Sequence, residues 1–429
     1  MNIKVRGGQV LSGEIYPSGS KNSAVHIIPC TLVIKGKVVL KNVPDIADVE
    51  KLVKILTKLG SIIDWKRQES EMIIDNTNVS FEQLNHDDLG NMKGTALLWG
   101  GLLARFGKVD FDELPGGCTL GIRSLEPIYK VFKDFGVKID ETEKGVIMEL
   151  GVRDTNEVWL TEMSPTATTN LVMLSVLSKG STKLIGTASE PQCQDVCNFL
   201  NACGAKIGGI GSSVLEIEGV SELKPIEYTL LPDHYEITTF LALGAVTGGE
   251  VKVHNAIPQH FKMIVDEFEK FNIKIEYEGD TAIVRANQKI EITGSFEDKT
   301  NLIRPQPWPA LPVDLLPMFV PLALAAPSGY IMFHNWMYES GLYWTSELTK
   351  FGAEVIMADP HRVLVMGGRK LKGAEIEAPY IIRAVVSYVM TAMIAQGETT
   401  ILNADSLYRG HPNFSANLAK LGAVIEEVK

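Results

Sequence analysis

The sequence predicts an α/β protein assembled from six repeated units, with helices buried inside and sheets outside. Three observations predict it. A helix–turn–strand pattern recurs six times, a set of nearly all-apolar helices lies between the copies, and neither GxGxxG nor GxxxxGK[ST] follows a strand.

The copies are Leu52–Asp64 (LVKILTKLGSIID), Ile128–Asp140 (IYKVFKDFGVKID), Val196–Ile207 (VCNFLNACGAKI), Ile264–Ile275 (IVDEFEKFNIKI), Trp344–Ile356 (WTSELTKFGAEVI) and Ser415–Ile425 (SANLAKLGAVI). Each is an amphipathic helix end, a turn residue and a short alternating strand. The turn residues are Gly60, Gly136, Gly204, Asn272, Gly352 and Gly422. A helix that stops this way places the residue after its last turn in the left-handed region, which Gly accepts and Asn tolerates. The residues that follow, such as Val137, Lys138, Ile139 and Asp140, alternate as a half-buried strand does.

The second pattern is an apolar helix closed by Gly and followed by a strand. It covers Thr95–Phe106, Asn170–Ser178, Thr239–Val246 and Ala384–Ala395. Helices apolar on nearly every face are buried all round. Each unit therefore reads strand–helix–strand–helix–strand, and 429 residues divided by six is about 70 per unit. An ordinary doubly wound sheet is the competing arrangement.

The chain is 45% hydrophobic and 22% charged, which suits a folded core without disulfide or metal staples. Its formal charge is −11, which argues against nucleic acid or an anionic membrane as partner. An anionic small molecule would need a local cationic cluster. Five cysteines and a start at Met1-Asn2-Ile3-Lys4 without an apolar leader predict a reduced, cytoplasmic protein. The longest apolar run, Met318 to Phe333, is broken by Pro321 and Pro327 and is too short to span a bilayer.

Four segments could carry chemistry. Pro17 to Ala24 (PSGSKNSA) follows an alternating strand pair (VRGGQVLSGEI) and leads into an apolar helix. Small residues ahead of a helix, with Lys21 as a point charge, suit a phosphate or carboxylate; a turn and cap is the plainer reading. Leu114 to Arg123 (LPGGCTLGIR) puts the Cys118 thiol near the Arg123 cation, which favours a reactive thiolate; a surface cysteine in a Gly-rich loop is the alternative. Trp308 to Leu316 (WPALPVDLL) sets Asp314 between prolines and an apolar helix, where a buried carboxylate would make a general base and an exposed one an N-cap. Lys93, Arg383 and Arg409 are cations near strand or helix starts, and Arg383, ahead of an apolar helix, requires a partner or an anionic ligand. Cys30, Cys193, Cys197 and Cys203 read as core, His86, His254, His260, His334 and His361 as structural or surface residues, and no metal set is completed.

The combination GSKN, LPGGCTLGIR, PVDLLP and YRGH, set in six α/β units, resembles the enolpyruvyl transferases over essentially the whole chain. The Cys-bearing loop is the most specific element; the sister enzyme of the shikimate pathway lacks it. The resemblance implies a two-domain inverse α/β barrel with three units per domain. It places residues 21–231 in a sugar-nucleotide-side domain, residues 1–20 with 232–429 in the second, and the active site in the cleft between them. The implied reaction moves the enolpyruvyl group of phosphoenolpyruvate to the 3-hydroxyl of UDP-N-acetylglucosamine. Phosphate leaves by addition and elimination through a tetrahedral intermediate. This is the first committed step of peptidoglycan synthesis. By resemblance, Lys21, Arg123 and Arg409 would hold the phosphate and carboxylate, with Lys93 and Arg383 nearby, because bidentate Arg suits such groups. Asn22, Asp314 and Ser164-Pro165-Thr166 would contact the sugar nucleotide, and Asp314 would take the hydroxyl proton. Cys118 would act as acid or in product release and would be the target of fosfomycin. The loop 114–124 would close over substrate. No metal or organic cofactor is implied, and a monomer or weak homo-oligomer is expected.

The departures from the family pattern lie mainly on the nucleotide side. Ile381 stands where a second active-site carboxylate is usual, Lys93 and Gly341 where Arg is usual, and Ile128 and Glu162 where a His and a Lys commonly help hold the uridine diphosphate. Loss of three polar partners would cost on the order of several kcal/mol without compensation. Rewired contacts, a different nucleotide or sugar acceptor, and a non-catalytic ligand-binding paralogue all remain open from the sequence.

Overall fold

The computed structural model describes residues 1–80, 95–111, 125–142, 145–153, 155–292 and 301–428. Two compact units emerge. One runs from Gly19 to Leu231; the other joins Met1–Ser18 to the chain from Pro232 onward. The first crossing, expected between Ser20 and Lys21, falls between Ser18 and Gly19.

In the Gly19–Leu231 unit, buried and amphipathic helices alternate along the chain. Among the described residues they are α1 (Lys21–Cys30), α2 (Ala47–Lys58), α3 (Trp99–Phe106), α4 (Glu126–Asp134), α5 (Pro165–Val176) and α6 (Pro191–Ala202). The other unit repeats the scheme with α7 (His234–Thr247), α8 (Lys262–Glu269), α9 (Leu316–Ala325), α10 (Ile382–Ile394) and α11 (Phe414–Lys420). Every residue from His234 to Val246 in α7, and from Arg383 to Met393 in α10, is buried. Hydroxyls within these helices donate to carbonyls four residues back: Thr238 to His234, Thr239 to Tyr235, Thr391 to Ser387 and Ser175 to Leu171. That satisfies polar groups which burial would otherwise leave costly.

The helix pair α3 and α5 shows how close the buried helices come. A Cβ on Gly100 would lie 2.3 Å from the Asn170 carbonyl oxygen, so only glycine fits. Buried Asn170 uses the proximity: its Oδ1 accepts from the Gly100 N–H at 2.6 Å and its Nδ2 donates to the Ala96 carbonyl at 2.8 Å.

Among the described residues each unit carries three sheets, and one design recurs. Lys37–Lys41 pairs antiparallel with Glu71–Asp75, which pairs with Ile62–Lys66, while Glu227–Thr229 adds a parallel edge strand. The sheet of Val251–Val253 and that of Ser181–Ile185 repeat this order, each with its own parallel edge. The sheet of Lys108–Phe111, Val146–Leu150 and Val137–Glu141 has three strands among the described residues. Strands such as Lys37–Lys41 and Glu71–Asp75 alternate in burial, with one face on the core. Each unit has its own hydrophobic core.

All six turn residues of the repeat have positive φ, from 59° at Asn272 to 103° at Gly204. A second periodic feature, absent from the sequence reading, is a left-handed residue at the end of the central strand: Asn42, Gly186, Asn255 and Asn403.

Two local expectations are corrected. Asn2–Arg6 and Gly13–Ile15 are strands but do not pair with each other. The first sits between Glu398–Leu402 and Ile425–Val428, and the second lies parallel to Val251–Val253. The fifth repeat is not an α-helix: Tyr343–Phe351 is 3-10. Thr345, Ser346 and Thr349 each donate a hydroxyl hydrogen bond to the carbonyl three residues back, which favours the tighter winding. Among the described residues no helix is long and apolar enough to cross a membrane.

Candidate active site

In the Gly19–Leu231 unit, Lys21 opens α1. The N-cap is Ser20, whose Oγ accepts the Ser23 N–H at 3.2 Å, so the segment before the helix does serve as a cap. Lys21 Nζ lies 3.1 Å from the Asp48 carboxylate in the first turn of α2, and both side chains are about four-fifths buried or more, at 16% and 17% exposure. The sequence reading had no Asp48; a carboxylate in a helix's first turn is common enough to pass as dipole complement. Asn22 is half-buried in the first turn of α1. Ser164 caps α5, accepting the Ala167 N–H at 3.3 Å, and Pro165 and Thr166 form its first turn, half-buried. Lys93, Cys118 and Arg123 lie outside the described residues.

Two positions of family departure are plain in this unit. Ile128 is 7% exposed within the core packing of α4, while Glu162 is exposed. Cys30, Cys193, Cys197 and Cys203 are buried, and burial pushes the Cys197 and Cys203 thiols up to about 12.

In the other unit, Asp314 lies inside the 3-10 turn Val313–Leu315. It is neither the N-cap nor a fully buried carboxylate: Pro312 occupies the cap position, its carbonyl accepts the Leu315 N–H at 3.0 Å, and Asp314 is half-buried. The turn hands the chain to α9 without needing a capping side chain. Ile381 takes the N-cap position of α10 with no side-chain hydrogen bond, and packs against the core. Arg383 is the second residue of α10 rather than ahead of it, and it is 7% exposed. Its partners answer the requirement of a buried cation. Nη1 donates to His411 Nε2, and the guanidinium lies 4.9 Å over the Tyr235 ring of α7. Arg409 closes the 3-10 turn Ala404–Arg409, so it sits at the end of an element, not its start; it lies 4.8 Å over the Tyr380 ring. That turn packs against α10. At Gly341 a Cβ would lie 2.2 Å from Asn335 Nδ2, so the buried Asn335 amide fills the space an Arg there would need.

The sequence reading missed the polar groups around Arg383. Glu236, fully buried in α7, accepts the Ser18 N–H at 2.8 Å with Oε2, while Oε1 has no hydrogen-bond partner among the described residues. Burial pushes its carboxyl up to about 7, Asp233 adds to the rise, and the Ser18 bonds and the Arg383 charge oppose it. Burial holds His234 down to about 3, with His260 and Arg383 adding to it. The segment LPDHYE holds these residues, and nothing in its local pattern marks them as neighbours of Arg383. Of the other histidines, His254 contacts Glu14 and Thr281, each at 3.0 Å, and His361 Nδ1 the Asn335 carbonyl at 2.9 Å, while His86 lies outside the described residues.

Mostly buried cations and capped helix starts stand on a six-unit α/β scaffold, and comparison supplies the family. The family model for EPSP synthase (3-phosphoshikimate 1-carboxyvinyltransferase) matches residues 5–418, and the chain belongs to this family of enolpyruvyl transferases. Among its relatives, UDP-N-acetylglucosamine 1-carboxyvinyltransferase of Borrelia garinii subsp. bavariensis is 34% identical over 425 residues, covering 99% of this chain and 98% of that protein. The protein of the same name from Bacteroides thetaiotaomicron is 35% identical over 433 residues, covering 99% of each. The fold matches that of the enolpyruvyl transferase NikO from Streptomyces tendae, with TM-score 0.86 at 20% identity over 99% of this chain and 98% of that one. EPSP synthase from Acinetobacter baumannii gives a TM-score of 0.73 at 16% identity, over 99% and 100%.

Proposed function

We propose that this protein transfers the enolpyruvyl group of phosphoenolpyruvate to the 3-hydroxyl of UDP-N-acetylglucosamine, releasing phosphate and opening peptidoglycan synthesis. The observation that carries the reading is the full-length identity of about a third to proteins named for that activity. In this reading Lys21, Arg123 and Arg409, with Lys93 and Arg383, bind the phosphate and carboxylate of phosphoenolpyruvate. Asn22 and the Ser164-Pro165-Thr166 helix start face the sugar nucleotide. Asp314 accepts the 3-hydroxyl proton as the oxygen attacks C2 of phosphoenolpyruvate, and Cys118 protonates C3, giving the tetrahedral intermediate. Loss of a proton from that methyl group and departure of phosphate then restore the enol ether. The half-burial of Asp314 leaves it reachable by a substrate hydroxyl.

The test is phosphate release by the purified enzyme. Release that requires both phosphoenolpyruvate and UDP-N-acetylglucosamine, with one carboxyvinyl group gained by the sugar nucleotide on mass spectrometry, is the expected result. A folded enzyme that releases none with that pair overturns the reading.

A second acceptor is favoured by three particular positions. Ile128 is in the core, Glu162 offers a negative charge, and the Asn335 amide takes the space beside Gly341. The same assay run over other nucleotide sugars and sugar phosphates separates the two: a better acceptor among them would replace UDP-N-acetylglucosamine while leaving the chemistry intact.

A further inference from the structure

The buried Arg383 raises a question that the proposed phosphoenolpyruvate site leaves open: what fixes the direction of its guanidinium. Its side chain leaves the first turn of α10, a helix in which it is the only charged residue. From α7 it meets the face of Tyr235 at 4.9 Å and the charge of Glu236, and His234 feels it as a like charge. A ring face and a charge attract a cation without setting its rotation. Among the described residues the directional contact is the hydrogen bond from Nη1 to His411 Nε2.

The chemistry of this bond is one-sided. A guanidinium has only donors and keeps its proton. His411 Nε2 must therefore accept through its lone pair, which assigns the neutral imidazole with its proton on Nδ1. The residue is itself held: His411 is 0% exposed, its ring centroid lies 5.3 Å from that of Phe414, and its backbone N–H donates to the Leu407 carbonyl at 3.1 Å. His411 also follows Arg409 by two residues, at the end of the 3-10 turn Ala404–Arg409. The bond thus ties the element carrying Arg409 to the helix carrying Arg383, across 28 residues of sequence.

We propose that His411 is a positioning residue that, by accepting from Arg383, presents Arg383 and Arg409 together to the phosphate and carboxylate of phosphoenolpyruvate. The inference rests on the proposed assignment of those two arginines to that ligand. It adds a residue that touches no substrate and sets the direction of one that does.

The test is a double-mutant cycle read as the dissociation constant of phosphoenolpyruvate by titration calorimetry, so that it does not depend on turnover. His411→Phe keeps the ring and its packing on Phe414 and deletes the acceptor; His411→Gln gives up the ring and keeps an acceptor oxygen. The expected result is a Kd raised about tenfold or more by His411→Phe, restored to within about threefold by His411→Gln, and no further loss when His411→Phe is added to Arg383→Gln. A residue needed only for packing would show the reverse order, with Phe tolerated and Gln not. Should His411→Phe fail to fold, as judged by circular dichroism, His411→Leu replaces it in the same cycle. An unchanged Kd in the folded acceptor-less variant, or effects of the two substitutions that simply add, overturns the role of His411. Wild-type protein that binds phosphoenolpyruvate yet releases no phosphate with UDP-N-acetylglucosamine overturns the proposed function alone, and the cycle still decides His411. Wild-type protein that binds no phosphoenolpyruvate overturns both.

Discussion

At Lys21 a cation meets a carboxylate in a nearly closed environment: Asp48 lies 3.1 Å away and little of either side chain reaches solvent. Such a pair holds the ammonium in place and keeps its desolvation tolerable. Lys21→Met is expected to lower kcat/KM for phosphoenolpyruvate by about 100-fold, the loss of one charge-assisted contact to a dianion in a site of low dielectric. Asp48→Asn is expected to lower stability by about 1–2 kcal/mol in urea melts, since it leaves a mostly buried cation with a weaker acceptor. The buried Glu236 carries a third residue-scale prediction. With its carboxyl raised from 4.5 to about 7, it is protonated in both folded and unfolded chains at low pH. Between those values the unfolded chain ionises first, so stability falls as pH rises and levels off above about 7, by about 3 kcal/mol in all. Glu236→Gln should remove that fall, seen as a flatter melting temperature between pH 5 and pH 8. Identical slopes for the two proteins would refute the shift.

A helix-ending glycine and a glycine within a helix separate the two costs of adding a Cβ, backbone strain and steric clash. Gly422 has φ 96° and open space where a Cβ would go, so Gly422→Ala tests backbone strain alone, about 1 kcal/mol. Gly100 has the opposite problem: ordinary helical backbone, but an oxygen of α5 at 2.3 Å from the added carbon. Gly100→Ala should therefore cost about 3 kcal/mol by forcing α3 and α5 apart and straining both Asn170 hydrogen bonds. Thermal or urea unfolding of the two variants measures both; a Gly100→Ala protein as stable as Gly422→Ala would contradict the close crossing.

The two units differ in how they are stitched. Gly19–Leu231 is one continuous stretch, whereas the other unit borrows its first strands from the chain's beginning. Asn2–Arg6 is central in its sheet, with Ile3 and Val5 fully buried, and pairs on both sides. A fragment of residues 19–231 is expected to melt cooperatively by circular dichroism. A fragment of residues 232–429 is expected to lack a cooperative transition, because two strand edges and a slice of core are bare. Joining residues 1–18 to its C-terminus through a short Gly/Ser linker should restore the transition.

The six-unit architecture was legible because each unit is written in local rules. An amphipathic stripe, a left-handed turn residue and an alternating strand all fit within about 13 residues, and the Gly-to-Asn exchange at 272 obeys the same steric rule. The candidate cations were legible as residues for a similar reason: Lys21, Arg383 and Arg409 stand at element ends, where charge in an apolar context is conspicuous. Their partners were not. Asp48, Glu236 and His411 look like ordinary first-turn or loop residues in one dimension, and only packing turns them toward a cation. The pairing of Asn2–Arg6 with strands about 400 residues away is invisible to periodicity, because alternation says which face of a strand is buried and nothing of which strand lies beside it. The sequence by itself determined the repeat, the helix endings and the supply of cations, since those depend on neighbours in the chain. Tertiary structure alone decided which charges are paired, which strands complete which sheet, and that Asn335 fills the space beside Gly341, since those depend on neighbours in space.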